Sequence, residues 1–210
     1  MKKISIIAVI ALFSVAVFAD ETNSTPEQAE AKYTAAIEGR TADILKILAL
    51  TDSAKSAKVH DIIITQYRAL NAWHNKNDAK LRAVKADTNA TAQIRVSLKA
   101  LHEKFLGALA ENLSPDQIEA VKDKLTYGKV QFTFNGYMTA YPNLAADHQA
   151  EILRLLKEAR EEAMDGGSSE EKTAVFQRYK GKINNYLSKQ GIRAVKKMPA
   201  VAAGSNSPAK

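Results

Sequence analysis

The sequence predicts an all-α fold, a bundle of about six helices with one short extended segment near residues 129–134. Three observations carry that expectation. Apolar residues recur at spacings of three and four along most of the chain, the period that lines one face of a helix. Helix start signals, a capping side chain followed by Pro or by Glu/Gln, stand at the head of several of those runs. Only one short stretch alternates as a strand would, and a lone strand has no partner for its backbone. With 210 residues, 46% of them apolar, the chain can bury a sizeable core and is not intrinsically disordered.

Met1-Lys2-Lys3 opens the chain, followed by an apolar run over residues 4–18 and by Val17-Phe18-Ala19. A basic start, an apolar stretch and small residues at −3 and −1 are the marks of a secretory signal peptide, here cleaved after Ala19. The run is shorter than the ~20 residues needed to span a bilayer, and no second span follows. The mature protein is therefore expected to be soluble and periplasmic or secreted. With no Cys in the sequence, a lipoprotein anchor, a disulfide framework, a Cys nucleophile and a Cys-ligated metal are all excluded.

Residues 20–192 read as a single helical domain. Thr25-Pro26-Glu27-Gln28 starts the first helix, along which Tyr33, Ile37, Ile44 and Leu48 recur. Thr51-Asp52 opens a second, with the stripe Val59, Ile62, Ile63, Tyr67, Leu70 and Trp73. The polar interval 75–89 either extends that helix or forms the connection, and its Asn content favours a weakened helix. Ile94, Leu98, Leu101, Phe105 and Leu109 mark the third. Ser114-Pro115-Asp116-Gln117 is a capping box with Pro at the first helical position, and Leu113 can staple onto Ile118. Val121 and Leu125 continue that fourth stripe.

Val130, Phe132 and Phe134 alternate with Lys129, Gln131 and Thr133, although Tyr127, Val130, Phe134, Tyr137 and Tyr141 also fit a helix. The segment is read as an extended linker followed by a short helical turn that ends before Pro142. A fifth helix from about Ala145 carries Ile152, Leu156, Ala159 and Ala163 and stops at Gly166-Gly167. Ser168 and Glu171 cap a sixth, with Phe176, Tyr179, Ile183 and Tyr186, ended by Gly191. Residues 193–210 are expected to be a disordered basic tail.

Charge is polarised. The formal balance of +7 loses two units with Lys2 and Lys3; residues 172–210 then hold nine basic and no acidic side chains, which leaves residues 20–171 at −4. An exported protein with an acidic body gives no reason to expect nucleic acid as a partner.

Several runs resemble a catalogued family. Ala159-Arg160-Glu161-Glu162-Ala163-Met164-Asp165, Gly167-Ser168-Ser169-x-Glu171-Lys172 and Tyr179-Lys180-Gly181-Lys182-Ile183-Asn184-Asn185-Tyr186-Leu187 are similar to domain of unknown function 3826, a set of exported bacterial proteins. Gln66-Tyr67-Arg68-Ala69-Leu70-Asn71, His74 and Thr126-Tyr127-Gly128 extend the likeness over roughly residues 33–191. Thr173 stands where the resemblance implies a His, and Ala174-Val175 where it implies an aromatic. The resemblance implies export and an association with polysaccharide utilisation. It implies no established activity, and so assigns no catalytic residue. Leu113-Ser114-x-x-Gln117 is also similar to the LTxxQ motif of small helical periplasmic chaperones, with Ser for Thr.

The chemistry-bearing candidates are few. No two of His60, His74, His102 and His148 are spaced as on a zinc-binding helix, so neither a metal nor another cofactor is expected. No nucleophile elbow, phosphate loop or dinucleotide fingerprint is present. Carboxylates such as Glu158, Glu161, Glu162 and Asp165 sit on amphipathic helices as ordinary solvent-facing residues would. The most pointed feature is the basic face of the last helix, where Arg178, Tyr179, Lys182, Asn185 and Tyr186 gather cations, an amide and tyrosyl rings. Arg68 and His74 could support it from the second helix. Such groups would suit an acidic glycan or another exported protein; the plain alternative is a solvated face pairing with the acidic body. The leading expectation is a non-enzymatic binding protein, ahead of a chaperone-like bundle and of an unrecognised carbohydrate-active enzyme.

Overall fold

A computed structural model describes residues 25–195. The expected signal peptide and most of the expected tail, residues 196–210, lie outside the described residues. These comprise seven α-helices and no strand: α1 (Pro26–Leu48), α2 (Ser53–Ala83), α3 (Thr88–Ala110), α4 (Pro115–Leu125), α5 (Lys129–Ala140), α6 (Ala146–Met164) and α7 (Ser169–Lys189). Two compact units are distinguished, one of residues up to 36 and one from 37 onward. The first holds the capped start of α1, where Thr25 Oγ1 accepts from the Gln28 amide and the Gln28 side chain accepts from the Thr25 amide. Everything below concerns the second.

The helix starts are where the capping residues place them. Asp52 accepts from the Lys55 amide, Asp87 from the Asn89 and Ala90 amides, and Ser168 from the Glu171 amide. Ser114 and Gln117 close a full capping box. Each such bond satisfies an amide that the first turn leaves without an intrahelical partner.

Two stretches depart from expectation or settle an open choice. The polar interval does not begin a linker at Asn75: α2 continues to Ala83, and only residues 84–87 connect it to α3. Asn77, a weak helix former, is accommodated because its side chain donates back to the Trp73 carbonyl. The second departure is a correction. Residues 129–134 are not extended but form the first half of α5, a seventh helix. Tyr127 and Gly128 both take left-handed backbone conformations, which turn the chain out of α4 and directly into α5. The helical stripe then faces inward through Val130, Thr133, Tyr137 and Ala140, while Phe132, which alternation would have grouped with Val130, is 47% exposed. A helix satisfies its own backbone, and no neighbouring strand exists among the described residues to satisfy an extended one.

The core falls into three clusters. Val130 and Tyr137 of α5, Ile152, Leu155 and Leu156 of α6, and Phe176, Ile183 and Leu187 of α7 form one. Ile44 and Leu48, with Val59 and Ile63 of α2, Phe105 and Leu109 of α3, and Val121 and Leu125 of α4, form another that Met164 closes. Leu70, Trp73 and Leu98 join α2 to α3 in a small third. α6 is the hub: it packs on α4, α5 and α7. Its last turn and the Gly166-Gly167 turn after it therefore come to lie beside the α2–α3 pair, and this is where polar side chains converge.

Candidate functional site

The basic face of α7 does not form one site. Arg178 forms an ion pair with Glu162 of α6. Tyr179 is buried, with the Lys182 ammonium 3.9 Å above its ring centre, so this pair is a cation–π contact along the helix. Asn185 is exposed. Tyr186 turns to the other side, where its hydroxyl meets His148 Nδ1 at 2.7 Å; His148 lines a hollow of about 390 Å³ with Tyr141, Leu144 and Ile192. The neighbouring Asn184 accepts from the Tyr137 hydroxyl at 2.9 Å and so ties α7 to α5. Arg68 is exposed on α2 and lines none of the clefts described here.

Two of the expected residues do meet. His74 and Arg178 line one cleft of about 240 Å³ with Trp73, Asp78, Arg95, Glu162, Asp165 and Glu171. It opens beside a second, shallower hollow of about 260 Å³ between α3 and α6, to which Arg95, His102, Glu161, Glu162 and Asp165 contribute. Trp73 is positioned by its indole N–H, which donates to Ser97 Oγ of α3 at 2.8 Å. His74 stands edge-on to the Trp73 ring. Arg95 makes no hydrogen bond or ion pair among the described residues, so its guanidinium faces the cleft uncommitted.

The turn after α6 fixes the imidazole. His74 Nε2 donates to the Asp165 carbonyl at 2.7 Å, and Nδ1 lies 2.9 Å from Asp78 Oδ1. Gly167 packs flat against the ring: a Cβ there would sit 2.9 Å from His74 Cγ, so only glycine fits. The Gly167 amide also donates to Glu171 Oε2 at 2.7 Å, which swings that carboxylate back over the turn toward His74.

Behind the cleft runs an ion-pair network that sequence reading treated as solvated surface. His102 Nδ1 meets Asp165 Oδ1 at 3.0 Å, and Nε2 lies 3.5 Å from Glu161. Hydrogen bonding to Asp165 first and to Glu161 second raises the His102 pKa to about 9. Burial works against the charge of Glu161, but the His102 and Lys122 bonds prevail and hold its pKa near 2. Arg160, 2% exposed, crosses from α6 to α4 and donates to Asp123 at 2.6 Å and Glu119 at 2.7 Å. Lys172, in the first turns of α7, buries its ammonium against the Leu125 and Met164 carbonyls, the open C-terminal ends of α4 and α6. Desolvation lowers its pKa to about 8 against the pull of Asp165.

A family model described as "Protein of unknown function (DUF3826)" matches residues 34–201. The chain belongs to this family. The match covers every residue of the cleft, and it agrees with the resemblance drawn from the α6–α7 runs. Those DUF3826 runs hold Arg160, Glu161, Glu162, Asp165, Gly167, Glu171 and Lys172, so some of the residues that suggested the family also contribute to the cleft wall and its supporting network. No curated protein matches the chain. Among the described residues no helix is long and apolar enough to cross a membrane.

Proposed function

We propose that this DUF3826 protein is an exported, non-enzymatic binding protein whose cleft takes one unit of a glycan, with carboxylate-bearing sugars as the first candidates. The observation that carries this reading is the cleft that brings His74 and Arg178 together beside Trp73 and the uncommitted Arg95. An aromatic edge, two guanidinium groups and hydrogen-bonding tips are what an acidic sugar requires. At about 240 Å³ the space falls below that of pockets for drug-sized ligands, which begin near 300 Å³, so a single ring or a chain end is the fitting guest. Export rests on the basic, apolar and small-residue order of residues 1–19.

Four carboxylates, from Asp78, Glu162, Asp165 and Glu171, line the same cleft, which is the feature an acid–base enzyme would need. Each already faces a partner: His74, Arg178, His102 and the Gly167 amide respectively. That engagement favours binding over hydrolysis. Among the described residues the exposed large apolar side chains, Ile47, Val96, Phe132 and Val195, belong to four different segments, α1, α3, α5 and the stretch after α7, which lends the chaperone reading little support.

Thermal-shift screening of the chain from Asp20 onward against uronate-containing and neutral oligosaccharides, at low and high salt, tests the reading. A rise in melting temperature with uronates that salt weakens, and that Arg95→Ala removes, is the expected result. No shift with any glycan, together with suppression of client aggregation, would replace it with the chaperone reading. Release of shorter sugars would replace it with an enzyme.

A further inference from the structure

We propose that His74, Asp78 and Glu171 form a zinc-type divalent-cation site at the mouth of the cleft. The first support is convergence. His74 Nδ1 lies 2.9 Å from Asp78 Oδ1 and 3.9 Å from Glu171 Oε2, and the three ligand atoms all fall within 4.8 Å of one another. Three donors about 2.1 Å from one tetrahedral ion sit about 3.4 Å apart, so the two measured edges bracket the required length. Small rotations of the half-exposed Glu171 side chain close the third.

Other imidazoles of this chain are also flanked by two carboxylates, and the contrast is informative. His60 meets Asp61 through Nδ1 and Glu38 through Nε2. His102 meets Asp165 through Nδ1 and Glu161 through Nε2. In both, the carboxylates lie on opposite sides of the ring and cannot share one ion. His74 alone of these three turns a single nitrogen toward both carboxylates.

The opposite nitrogen is what a metal-bound imidazole needs. Nε2–H is committed to the Asp165 carbonyl, which fixes the tautomer and leaves the Nδ1 lone pair directed at Asp78 and Glu171. An Nδ1 lone pair and a carboxylate oxygen 2.9 Å apart must share a positive centre, a proton or a cation. The supporting atoms come from one turn: the Asp165 carbonyl holds His74, the Gly167 amide holds Glu171, and the absent Gly167 side chain lets the ring lie flat. Lys172 does not compete for the carboxylates, because its ammonium is spent on the Leu125 and Met164 carbonyls.

Ligand chemistry selects the ion. One imidazole nitrogen with two carboxylate oxygens suits Zn²⁺ and its first-row neighbours, whereas Ca²⁺ takes six to eight oxygens and Mg²⁺ keeps most of its waters. Two negative ligands neutralise a dication, and the opening of the site leaves a fourth position to water or to an anion held by Arg95 or Arg178. The site does not depend on the glycan reading, since metal binding is measured without any sugar.

The test is titration of chelator-treated, sugar-free protein with ZnCl₂, followed by calorimetry and by competition with a chromophoric chelator. One equivalent of Zn²⁺ is expected, with a higher melting temperature. Asp78→Asn and Glu171→Gln should each weaken it by ~10-fold or more, while keeping the metal-free melting temperature, and His60→Gln should leave binding unchanged. Co²⁺ should show the visible bands of a four-coordinate site, lost in the same two variants. Less than half an equivalent bound, or wild-type affinity in Asp78→Asn and Glu171→Gln, would overturn the proposal.

Discussion

Replacing His102 by Gln gives a sharp test of the network behind the cleft. The ring sits 15% exposed between Asp165 and Glu161, and these two carboxylates lift its pKa from 6.5 to about 9. Between those values the folded protein holds a proton that the unfolded chain gives up. Its contribution is therefore complete below about pH 6.5 and disappears as pH climbs through about 9. Taken at face value, such a rise is worth ~3.4 kcal/mol. The carboxylates are partly open to solvent and Glu161 also serves Lys122 and Arg160, so screening and sharing reduce this to ~1–2 kcal/mol. On the acid side, Glu161 contributes fully above its ordinary 4.5 and loses its contribution as pH falls through about 2. Urea unfolding of wild type and His102→Gln at several pH values from 6 upward reads the difference directly, because groups that do not touch His102 cancel and Glu161 titrates well below that range. The gap should be ~1–2 kcal/mol near pH 6 and close toward pH 10. A gap that stays constant with pH, or widens with alkali, would refute the assignment of a protonated His102.

Arg160 offers a different contrast. Arg160→Ala should cost ~2–4 kcal/mol, because the packed stem and both bonds to α4 are lost together, whereas Arg160→Met keeps the packing, frees the half-buried Glu119 and Asp123 to rehydrate, and should cost less than half as much; urea midpoints at neutral pH measure both. For α5, Tyr137→Ala should cost ~3–5 kcal/mol and Phe132→Ala less than ~0.5 kcal/mol, since one is fully buried and the other half-exposed. Comparable costs by thermal unfolding would return the segment to an extended conformation.

Helix starts were legible because the signal is local. Thr25, Asp52, Ser114 and Ser168 each bond to the amide three residues on, and nothing distant decides that. The stripes Val59–Ile63–Leu70–Trp73 and Phe176–Tyr179–Ile183 were legible for the same reason. α5 was not. Its residues satisfy both a period of two and one of 3.6, and the choice lies in what surrounds them: a shared core with Ile152, Leu156, Phe176 and Ile183, and no strand among the described residues. A tie in periodicity is broken by tertiary packing, which no window of sequence contains.

Local reading found His74 but not the carboxylates the structure places beside it. A search for two histidines one helical turn apart passes over a histidine and an aspartate at that spacing, although His74 and Asp78 share a face of α2 for the same geometric reason. Glu171 was read as part of the α7 cap, and its amide does serve there; its carboxylate is turned away by the Gly167 N–H toward an imidazole from a distant helix. The basic face of α7 shows the reverse relation. Its residues share a helix side, yet Tyr179 is turned into the core, Arg178 is drawn across to Glu162, and Tyr186 leans to His148. Shared helical register brings side chains to one face; convergence on a ligand requires a second element facing them. In this fold that element is the Gly166-Gly167 turn, whose backbone carries no charge and so left no mark in the charge pattern, but whose flat surface lets α2 and α7 bring their polar groups together.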